Sequence, residues 1–391
     1  MAASNIILWD GPCREQLLPF TYTRPVAEIR VGILTIREKY EKYLKSKASS
    51  KTEEYLSTKF PASIADDNLF INAAVLPDKD LTEAISNLQA SNTLWKGDTF
   101  IAARFSEIQI ANFNEYINIS KQEYSGKISM CDRVWKIFLL NEQEIKKDFA
   151  LLTTGRTSLP IHESNFAVNK EQIFIEEGAS VLNASLNASG GPIYISKDAE
   201  VMEGSLIRGP FALCEHSTIK LGAKIYGATT VGPHCKVGGE VSNSVFFSYS
   251  NKGHDGFVGN AVIGEWCNIG ADSNNSNLKN NYEEVKIWDF SAKSFVKTGL
   301  QFCGLFLGDH SKCGINTMFN TGTVVGVSSN IFGGGFPRNY IPSFSWGGAS
   351  GMTEYKLDKA FETASKVMER RGIKLDETEQ KILEHIYTHY R

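Results

Sequence analysis

The chain has 391 residues, of which 42% are hydrophobic and 22% are charged, and its formal net charge is −3. This length exceeds one ordinary core and predicts two or three domains of a globular protein. The weakly acidic balance provides no overall basic field that would attract nucleic acid. The sequence has no run of about eighteen apolar residues and no basic, apolar leader, so we expect a cytoplasmic protein. Its seven cysteines contain no CxxC pair, which favours reduced thiols over a disulfide framework or a zinc site.

Residues 1–160 predict alternating strands and helices. Short apolar runs and apolar residues at helical spacing give, in order, strand Asn5–Leu8, helix Pro25–Leu44, strand Leu69–Leu76, helix Leu81–Leu88, strand Thr99–Ala103 and helix Ile137–Leu151. This alternation predicts an α/β domain over 1–160 with a mostly parallel sheet.

The next segment has an aliphatic residue at every sixth position. Eight consecutive positions follow this step: Ile195, Val201, Ile207, Leu213, Ile219, Ile225, Val231 and Val237. Neither an α-helix nor a flat strand has this period. Short sides with one inward residue each predict a left-handed parallel β-helix of hexapeptide repeats, with triangular coils of about eighteen residues. We place this domain at 161–340.

The repeat shifts by two residues after Val237. We then expect Val245, Asn251, Phe257, Ile263 and Ile269 to point inward. The Asn-rich residues 275–300 predict a loop outside the coil. The step returns at Leu307, Cys313, Phe319, Val325 and Ile331, and a weaker copy at Ile175 and Val181 starts the helix. An antiparallel β-sandwich is the alternative, but it requires a period of two, which the sequence hardly shows.

Residues 341–391 predict a linker and two helices. The helices are expected at Glu354–Arg371 and Glu377–Tyr390, with Gly372 ending the first and Asp376 capping the second. We expect them to cover the open end of the solenoid, where strand edges would otherwise be exposed.

Three histidines share one phase of the predicted repeat. His216 and His234 each follow an inward residue by three positions, and His254 follows Asn251 by three. This spacing predicts one column on a single outer corner. Solvated turn residues are the simpler interpretation for His216 and His234, whereas the surroundings of His254 carry a further signal.

The segment Lys252–Ala271, K-G-H-D-G-F-V-G-N-A-V-I-G-E-W-C-N-I-G-A, resembles the acetyltransferase half of the bifunctional N-acetylglucosamine-1-phosphate uridyltransferase/glucosamine-1-phosphate acetyltransferase family. The family motif A-G-H-x-x-Y-x-G-x-x-x-I-G-x-x-x-N-I-G-A aligns without a gap. The resemblance implies that His254 is the base that takes a proton from the sugar amine as it attacks acetyl-CoA.

The same resemblance implies further binding residues and an assembly. The implied substrate contacts are Phe257, which replaces the family's tyrosine, together with Asn268, Asn277 and Lys286. The implied acetyl-CoA contacts are Ala271, Asp309 and Val327. The implied assembly is a homotrimer with the active site between subunits.

A second resemblance lies at the amino end. The stretch Arg14–Pro25, R-E-Q-L-L-P-F-T-Y-T-R-P, resembles the R-x-x-x-x-P-L-T-x-x-R-P stretch of sugar-phosphate nucleotidyltransferases. It implies an NTP held with Mg²⁺ by Asp10, Gly11, Arg14 and Arg24.

The amino end departs from that pattern in three places. The loop has one glycine, Val26 replaces a lysine, and Asn72-Ala73-Ala74 replaces the Asn-Gly-Asp segment that supplies a Mg²⁺ ligand. Asp78 and Asp98 are the alternative carboxylates.

Together these observations favour a bifunctional enzyme that acetylates glucosamine-1-phosphate and transfers a nucleotidyl group to a sugar-1-phosphate. One alternative keeps a single activity, either sugar nucleotidyl transfer or acyl transfer, with the other domain degenerate. Another is a zinc enzyme like the γ-class carbonic anhydrases, whose H-x₄-H pair is absent here. A non-catalytic scaffold is the last alternative.

Overall fold

The computed structural model describes residues 5–391, which form two compact units. The first contains the chain up to Leu17, Thr23–Ile29 and Leu34–Arg133, and the second contains Leu18–Tyr22, Arg30–Ile33 and Val134–Arg391. The domain limits at 160 and 340 stay predictions.

The first unit is built on a six-stranded mixed sheet. Across the sheet the strands are Ala48–Lys51, Asn5–Trp9, Asn68–Asn72, Thr99–Phe105, Thr93–Lys96 and Lys121–Glu123. The first three run parallel, and Thr99–Phe105 is antiparallel to both of its neighbours. The sheet is therefore less parallel than predicted. A small antiparallel pair joins Val75–Leu76 to Ser129–Met130.

Five helices belong to this unit: α1 Ile36–Leu44, α2 Glu54–Ser57, α3 Lys79–Ser86, α4 Glu107–Ala111 and α5 Phe113–Tyr116. The first half of the predicted helix Pro25–Leu44 is wrong. Only a short 3-10 turn forms at Val26–Glu28, because the backbone is extended at Ile29 and Gly32 has φ of +84°. Helix α1 begins after Thr35, which forms a capping box with Glu38.

The second unit is a parallel β-helix with three faces, which confirms the predicted hexapeptide fold. Face 1 contains Ile173–Ile175, Ile193–Ile195, Phe211–Leu213, Thr229–Val231, Val245–Phe246, Val262–Ile263, Leu305–Leu307, Thr323–Val325 and Tyr340–Ile341. Face 2 contains Ser180–Val181, Glu200–Val201, Thr218–Ile219, Lys236–Val237, Asn251–Lys252, Asn268–Ile269, Lys312–Cys313, Asn330–Ile331, Ser345–Gly348 and the antiparallel Gly351–Glu354. Face 3 contains Phe166–Val168, Ser185–Asn187, Leu206–Arg208, Lys224–Tyr226, Glu240–Ser242 and Phe257–Gly259, and the pair Asn274–Asn275 and Met318–Phe319 follows it.

The predicted inward register is correct up to Val237 and wrong by one residue at three positions after it. Phe246, Lys252 and Val258 pair with the inward Val231, Val237 and Val241. All three are at most 1% exposed. The physical reason is that the coil shortens on more than one side, since the step between inward residues is four from Val237 to Val241 and five from Val241 to Phe246. Val245, Asn251 and Phe257 therefore precede the inward residues.

The loop predicted at 275–300 begins after Asn275, which still pairs with Phe319 in the coil, and it contains an antiparallel hairpin of Lys286–Asp289 with Ser294–Lys297. Three helices complete the unit: α6 Val134–Thr153, α7 Leu357–Glu369 and α8 Glu377–His389. Helix α6 packs on face 1, where Asn141 donates to the carbonyl oxygen of Ala228 at 2.9 Å. No helix within residues 5–391 is long and apolar enough to cross a membrane.

Helix α7 lies along face 2 rather than across the end of the solenoid, so that expectation is wrong. Thr363 and Val367 face the strands Asn268–Ile269 and Lys312–Cys313 across a shared groove. The hairpin of Ser345–Gly348 and Gly351–Glu354 instead ends face 2. The buried residues of α7, Ala360, Ala364 and Met368, lie at the spacing of one covered side of a helix.

Candidate active site

His254 lies in the turn that joins face 2 to face 3. This turn follows Asn251–Lys252 and precedes Phe257–Gly259, and the histidine is exposed. The Asp272 N–H donates to the carbonyl oxygen of Asp255 at 2.9 Å, so the turn of Ala271 stacks directly on that of His254. The structure thus brings together two residues that the sequence proposed for different substrates.

His254 does not share a column with His216 and His234, so this prediction is wrong. His216 and His234 stack at 4.8 Å between ring centroids, and the column continues with Tyr249, Trp266 and His310. Each of these residues has φ between 56 and 60°. This column occupies the corner between faces 1 and 2, whereas His254 occupies the corner between faces 2 and 3. The difference follows from the misplaced inward residue.

A groove of about 800 Å³ runs over face 2 beside His254. Its floor is formed by the strands that carry Asn251, Asn268 and Lys312. Its far wall is helix α7 and the two arginines that follow it, Arg370 and Arg371. His254, Asn268 and Ala271 all line this groove, so three of the predicted site residues meet in one cavity.

The groove is strongly basic. Among the described residues that line it, none is acidic and five are lysines or arginines: Lys220, Lys236, Lys312, Arg370 and Arg371. Burial lowers the pKa of Lys312 to about 8, and its Nζ donates to the carbonyl oxygen of His310 at 2.8 Å. Sequence reasoning missed these cations. The outward positions of face 2 could have indicated the lysines, but nothing in the pattern placed α7 beside them.

Lys252 lies beneath the His254 turn. It is 1% exposed, and its Nζ donates to the carbonyl oxygen of His254. Burial lowers the pKa of Lys252 to about 8, against the carboxylates of Asp255 and Asp272, which raise it. The sequence placed Asn251 at this inward position and so missed the lysine.

Two further predicted substrate residues lie on the face 3 side of the turn. The backbone N–H of Phe257 donates to Asn274 Oδ1 at 2.7 Å, and Asn277 donates to Asn260 Oδ1 at 2.8 Å. Lys286 is exposed in the hairpin outside the coil and does not line the groove.

Asp309 and Val327 lie on adjacent coils, as their spacing predicted. The Ser328 N–H donates to the carbonyl oxygen of Asp309 at 2.8 Å. Both side chains are buried, at 2% and 0% exposure, in the corner between faces 1 and 2. They do not line the groove with His254, so the structure does not bring them to that cavity.

In the first unit, Asp10 and Arg14 meet in a buried pair. Arg14 Nε lies 3.2 Å from Asp10 Oδ2, which also accepts the Thr52 hydroxyl at 2.6 Å. Burial raises the pKa of Asp10 to about 6, although Thr52 and Arg14 lower it. Arg24 is 5% exposed, so both predicted arginines are largely covered by protein.

Gly11 follows Asp10 with φ of +63°, and a Cβ there would lie 3.1 Å from Asn72 Oδ1. The loop therefore rests against the segment that replaces the family's metal-binding aspartate.

The carboxylates near this loop do not fit a Mg²⁺ site. The oxygens of Asp10 are taken by Val26, Thr52 and Arg14, and Asp78 caps helix α3 by accepting the Leu81 N–H at 2.9 Å. Asp98 is exposed in the turn between two strands. Within residues 5–391, no three His, Cys, Asp or Glu side chains converge as a metal cluster.

The family match found by comparison with known proteins covers most of the first unit and helix α6. Residues 6–157 match the profile of the sugar nucleotidyl transferase family. The bifunctional sugar-1-phosphate nucleotidylyltransferase/acetyltransferase of Sulfurisphaera tokodaii is 32% identical over 155 residues, which are 37% of this chain and 36% of that protein. The bifunctional protein GlmU of Methanocaldococcus jannaschii is 32% identical over 87 residues, or 22% and 21% of the two chains.

These matches confirm the resemblance to bifunctional sugar-1-phosphate nucleotidyltransferase/acetyltransferases at modest identity. The matched segments span about a third and a fifth of the length of these relatives. Among solved structures, the polySia-specific acetyltransferase NeuO is 14% identical with a TM-score of 0.25, over 49% of this chain and 82% of that one.

Proposed function

We propose that the protein is a bifunctional transferase, which acetylates glucosamine-1-phosphate at the β-helix and transfers a nucleotidyl group to a sugar-1-phosphate in the first unit. One observation carries the acetyl-transfer half. His254, Asn268 and Ala271, which the sequence resemblance singled out, line one groove whose charged side chains are all cationic.

The cations match the chemistry of the acyl donor. Acetyl-CoA carries a diphosphate and a further phosphate, and glucosamine-1-phosphate carries another. Five basic side chains in a groove without acidic neighbours hold such polyanions by direct ion pairs. Arginines such as Arg370 and Arg371 can also bind phosphate through two parallel hydrogen bonds.

His254 supplies the proton acceptor that the reaction requires. The sugar amine attacks the carbonyl carbon of the thioester, a C–N bond forms and the C–S bond breaks. An imidazole can take the proton that the nitrogen loses near neutral pH, and the departing thiolate is protonated to free coenzyme A. Exposure of His254 at the edge of the groove gives both substrates access to it.

Face 3 supports a homotrimer. Face 1 packs against α6 and face 2 against α7, whereas face 3 and its adjoining corner leave large apolar side chains exposed: Phe166, Leu206, Leu221, Ile315 and Met318. Exposed apolar side chains along one face support association of copies through that face. Three copies meeting on face 3 would put a neighbouring chain beside the His254 turn. Sedimentation equilibrium at three times the chain mass tests this assembly.

The match of residues 6–157 to sugar nucleotidyl transferases supports the second activity. In that reaction a sugar phosphate oxygen attacks the α-phosphorus of an NTP and pyrophosphate leaves. Arg14 and Arg24 are the cations that would stabilise the negative charge. No step is assigned to a protein-bound Mg²⁺, because the carboxylates near the Asp10 loop do not fit that ion. Both activities use cytoplasmic metabolites, and we assign the protein to that compartment.

The test is to incubate the purified protein with acetyl-CoA, glucosamine-1-phosphate and each NTP with Mg²⁺. Free thiol and pyrophosphate are measured separately. We expect thiol release only with the amino sugar, and glucose-1-phosphate, which lacks the amine, is the matched control. Thiol release no faster than in buffer would reject acetyl transfer, and pyrophosphate release absent with all NTPs would reject nucleotidyl transfer.

A further inference from the structure

The inward positions of face 2 are apolar in the described coils with one exception. Lys252 stands where the adjacent coils carry Val237 and Ile269. Its side chain is 1% exposed, so an ammonium group is enclosed in the solenoid core. Burying a charge costs free energy, and a methionine of similar length would fill the same space without that cost. Packing alone therefore does not account for a lysine here.

The ammonium makes a specific contact with the backbone of the candidate base. Lys252 Nζ donates to the carbonyl oxygen of His254, two residues further along. The turn between them is short of side chains, because Gly253 and Gly256 flank His254 and Asp255. Glycines leave a backbone free to move, so one hydrogen bond from a fixed group restricts this turn strongly.

The neighbouring coil makes room for this contact through a glycine. Gly239 has φ of +68°, and a Cβ there would lie 2.7 Å from the His254 carbonyl oxygen and 2.8 Å from Lys252 Nζ. Any side chain at this position would push the two groups aside. Gly222, in the corresponding turn one coil earlier, has φ of +67° but no heavy atom within 4 Å of an added Cβ.

We propose that Lys252 is a positioning residue for His254: from inside the coil, its ammonium holds the His254 carbonyl and so fixes the turn that presents the imidazole to the groove. This inference rests on the proposed acetyl transfer, since it assigns a supporting role to that site. Lys252 does not line the groove and touches no substrate. It acts through the backbone of His254.

The first experiment compares wild type with Lys252→Met and the control Lys197→Met, which removes an exposed lysine from a turn between faces 1 and 2, several coils before His254. We expect kcat for thiol release to fall about tenfold to a hundredfold in Lys252→Met, with KM for both substrates within about threefold. A misplaced base slows the chemical step, whereas the groove that binds substrate is unchanged. A kcat within about twofold of wild type would overturn the proposal.

The second experiment disturbs the same contact from the neighbouring coil, by adding a Cβ at Gly239. Gly239→Ala should lower kcat as Lys252→Met does, whereas Gly222→Ala, with the same left-handed backbone but open space, should not. Equal losses in both alanine variants would attribute the effect to backbone strain and contradict a specific role for the Lys252–His254 contact.

A third measurement does not depend on activity. The Asp272 N–H donates to the Asp255 carbonyl in the turn, so its hydrogen exchange reports whether the turn keeps its place. We expect faster exchange at Asp272 in Lys252→Met and unchanged exchange in the coils before Val237. If wild type releases no thiol, the proposed function fails by itself, and the exchange result alone decides whether Lys252 fixes the turn. Unchanged exchange at Asp272 would overturn that role.

Discussion

Arg371 donates from its guanidinium to Asn251 Oδ1 at 3.1 Å, which ties the end of helix α7 to the coil that carries His254. Helix α7 is more than 100 residues further along the chain than that coil, yet it forms one wall of the basic groove. The candidate site is therefore shared between the repeat and the C-terminal segment of one chain.

This contact leads to a prediction for donor binding. Arg371→Ala should raise KM for acetyl-CoA about fivefold to tenfold with little change in kcat, because the loss of a phosphate-binding cation weakens ground-state binding. The control Lys381→Ala removes one positive charge from α8, where Lys381 pairs with Glu377 away from the groove. An unchanged KM in Arg371→Ala would place the phosphates elsewhere.

His254 is expected to act as the proton acceptor. His254→Ala should lower thiol release by about a hundredfold to ten-thousandfold, the usual contribution of general acid–base catalysis, and should leave pyrophosphate release unchanged. His216→Ala, which shortens the stacked column at another corner, is the control and should keep full activity. A His254→Ala rate equal to that of wild type would remove this residue from the mechanism.

The buried ammonium of Lys252 predicts a pH-dependent stability. The pKa of Lys252 is about 8 in the folded chain and 10.5 ordinarily, so between these values the unfolded chain binds more protons. The free energy of unfolding should therefore rise from about pH 8 to about pH 10.5 as the cost of the buried charge disappears. That cost amounts to about 3 kcal/mol at neutral pH.

Lys252→Met lacks this cost at every pH. Its free energy of unfolding should exceed that of wild type by about 1–3 kcal/mol at pH 7, and the difference should shrink by pH 10. Urea unfolding at several pH values measures it, with Lys197→Met as the reference for loss of an exposed lysine. A difference that stays constant across this range would contradict the prediction. Lys312 titrates in the same window but is common to all three proteins.

Asn275 is expected to stabilise the coil next to the strand Phe257–Gly259. It is 2% exposed, and its amide both donates to the Gly259 carbonyl at 3.0 Å and accepts the Gly259 N–H at 3.1 Å. Asn275→Leu keeps the volume of the inward side chain but removes the partner of the Gly259 N–H and of the Gly259 carbonyl. We therefore expect the free energy of unfolding, measured by thermal unfolding, to fall by about 2–4 kcal/mol. Asn280→Ala, at an exposed position in the loop, should change stability by less than about 0.5 kcal/mol. Equal stability of the two variants would argue against the Gly259 contacts.

Substitution of Arg14 should affect nucleotidyl transfer and not acetyl transfer. Arg14→Ala should abolish most pyrophosphate release, since it removes a cation and leaves the buried Asp10 carboxylate without its ion pair. Thiol release should remain within about twofold of wild type, because His254 lies in the other unit. The control is Arg104→Ala, which breaks an ion pair with the partly exposed Asp67. Parallel loss of both activities would contradict independent sites.

The period of six by itself determined the β-helix. Each coil has three inward slots that admit only side chains of suitable size, so residues such as Ile219 and Ile225 record the fold directly in the sequence. The motif around His254 likewise indicated the chemistry, because its residues are consecutive in the sequence.

Only the tertiary structure decided which residues meet at the site. A shift of one residue in register reverses inside and outside, and the sequence alone could not divide the shortening of the coil after Val237 among several sides of the triangle. This division puts Lys252 inside, separates His254 from His216 and His234, and gives Tyr249 their column. The apolar stripe of α7 showed that the helix needs a partner but not which face it covers, so the arginine wall of the groove emerged only from packing.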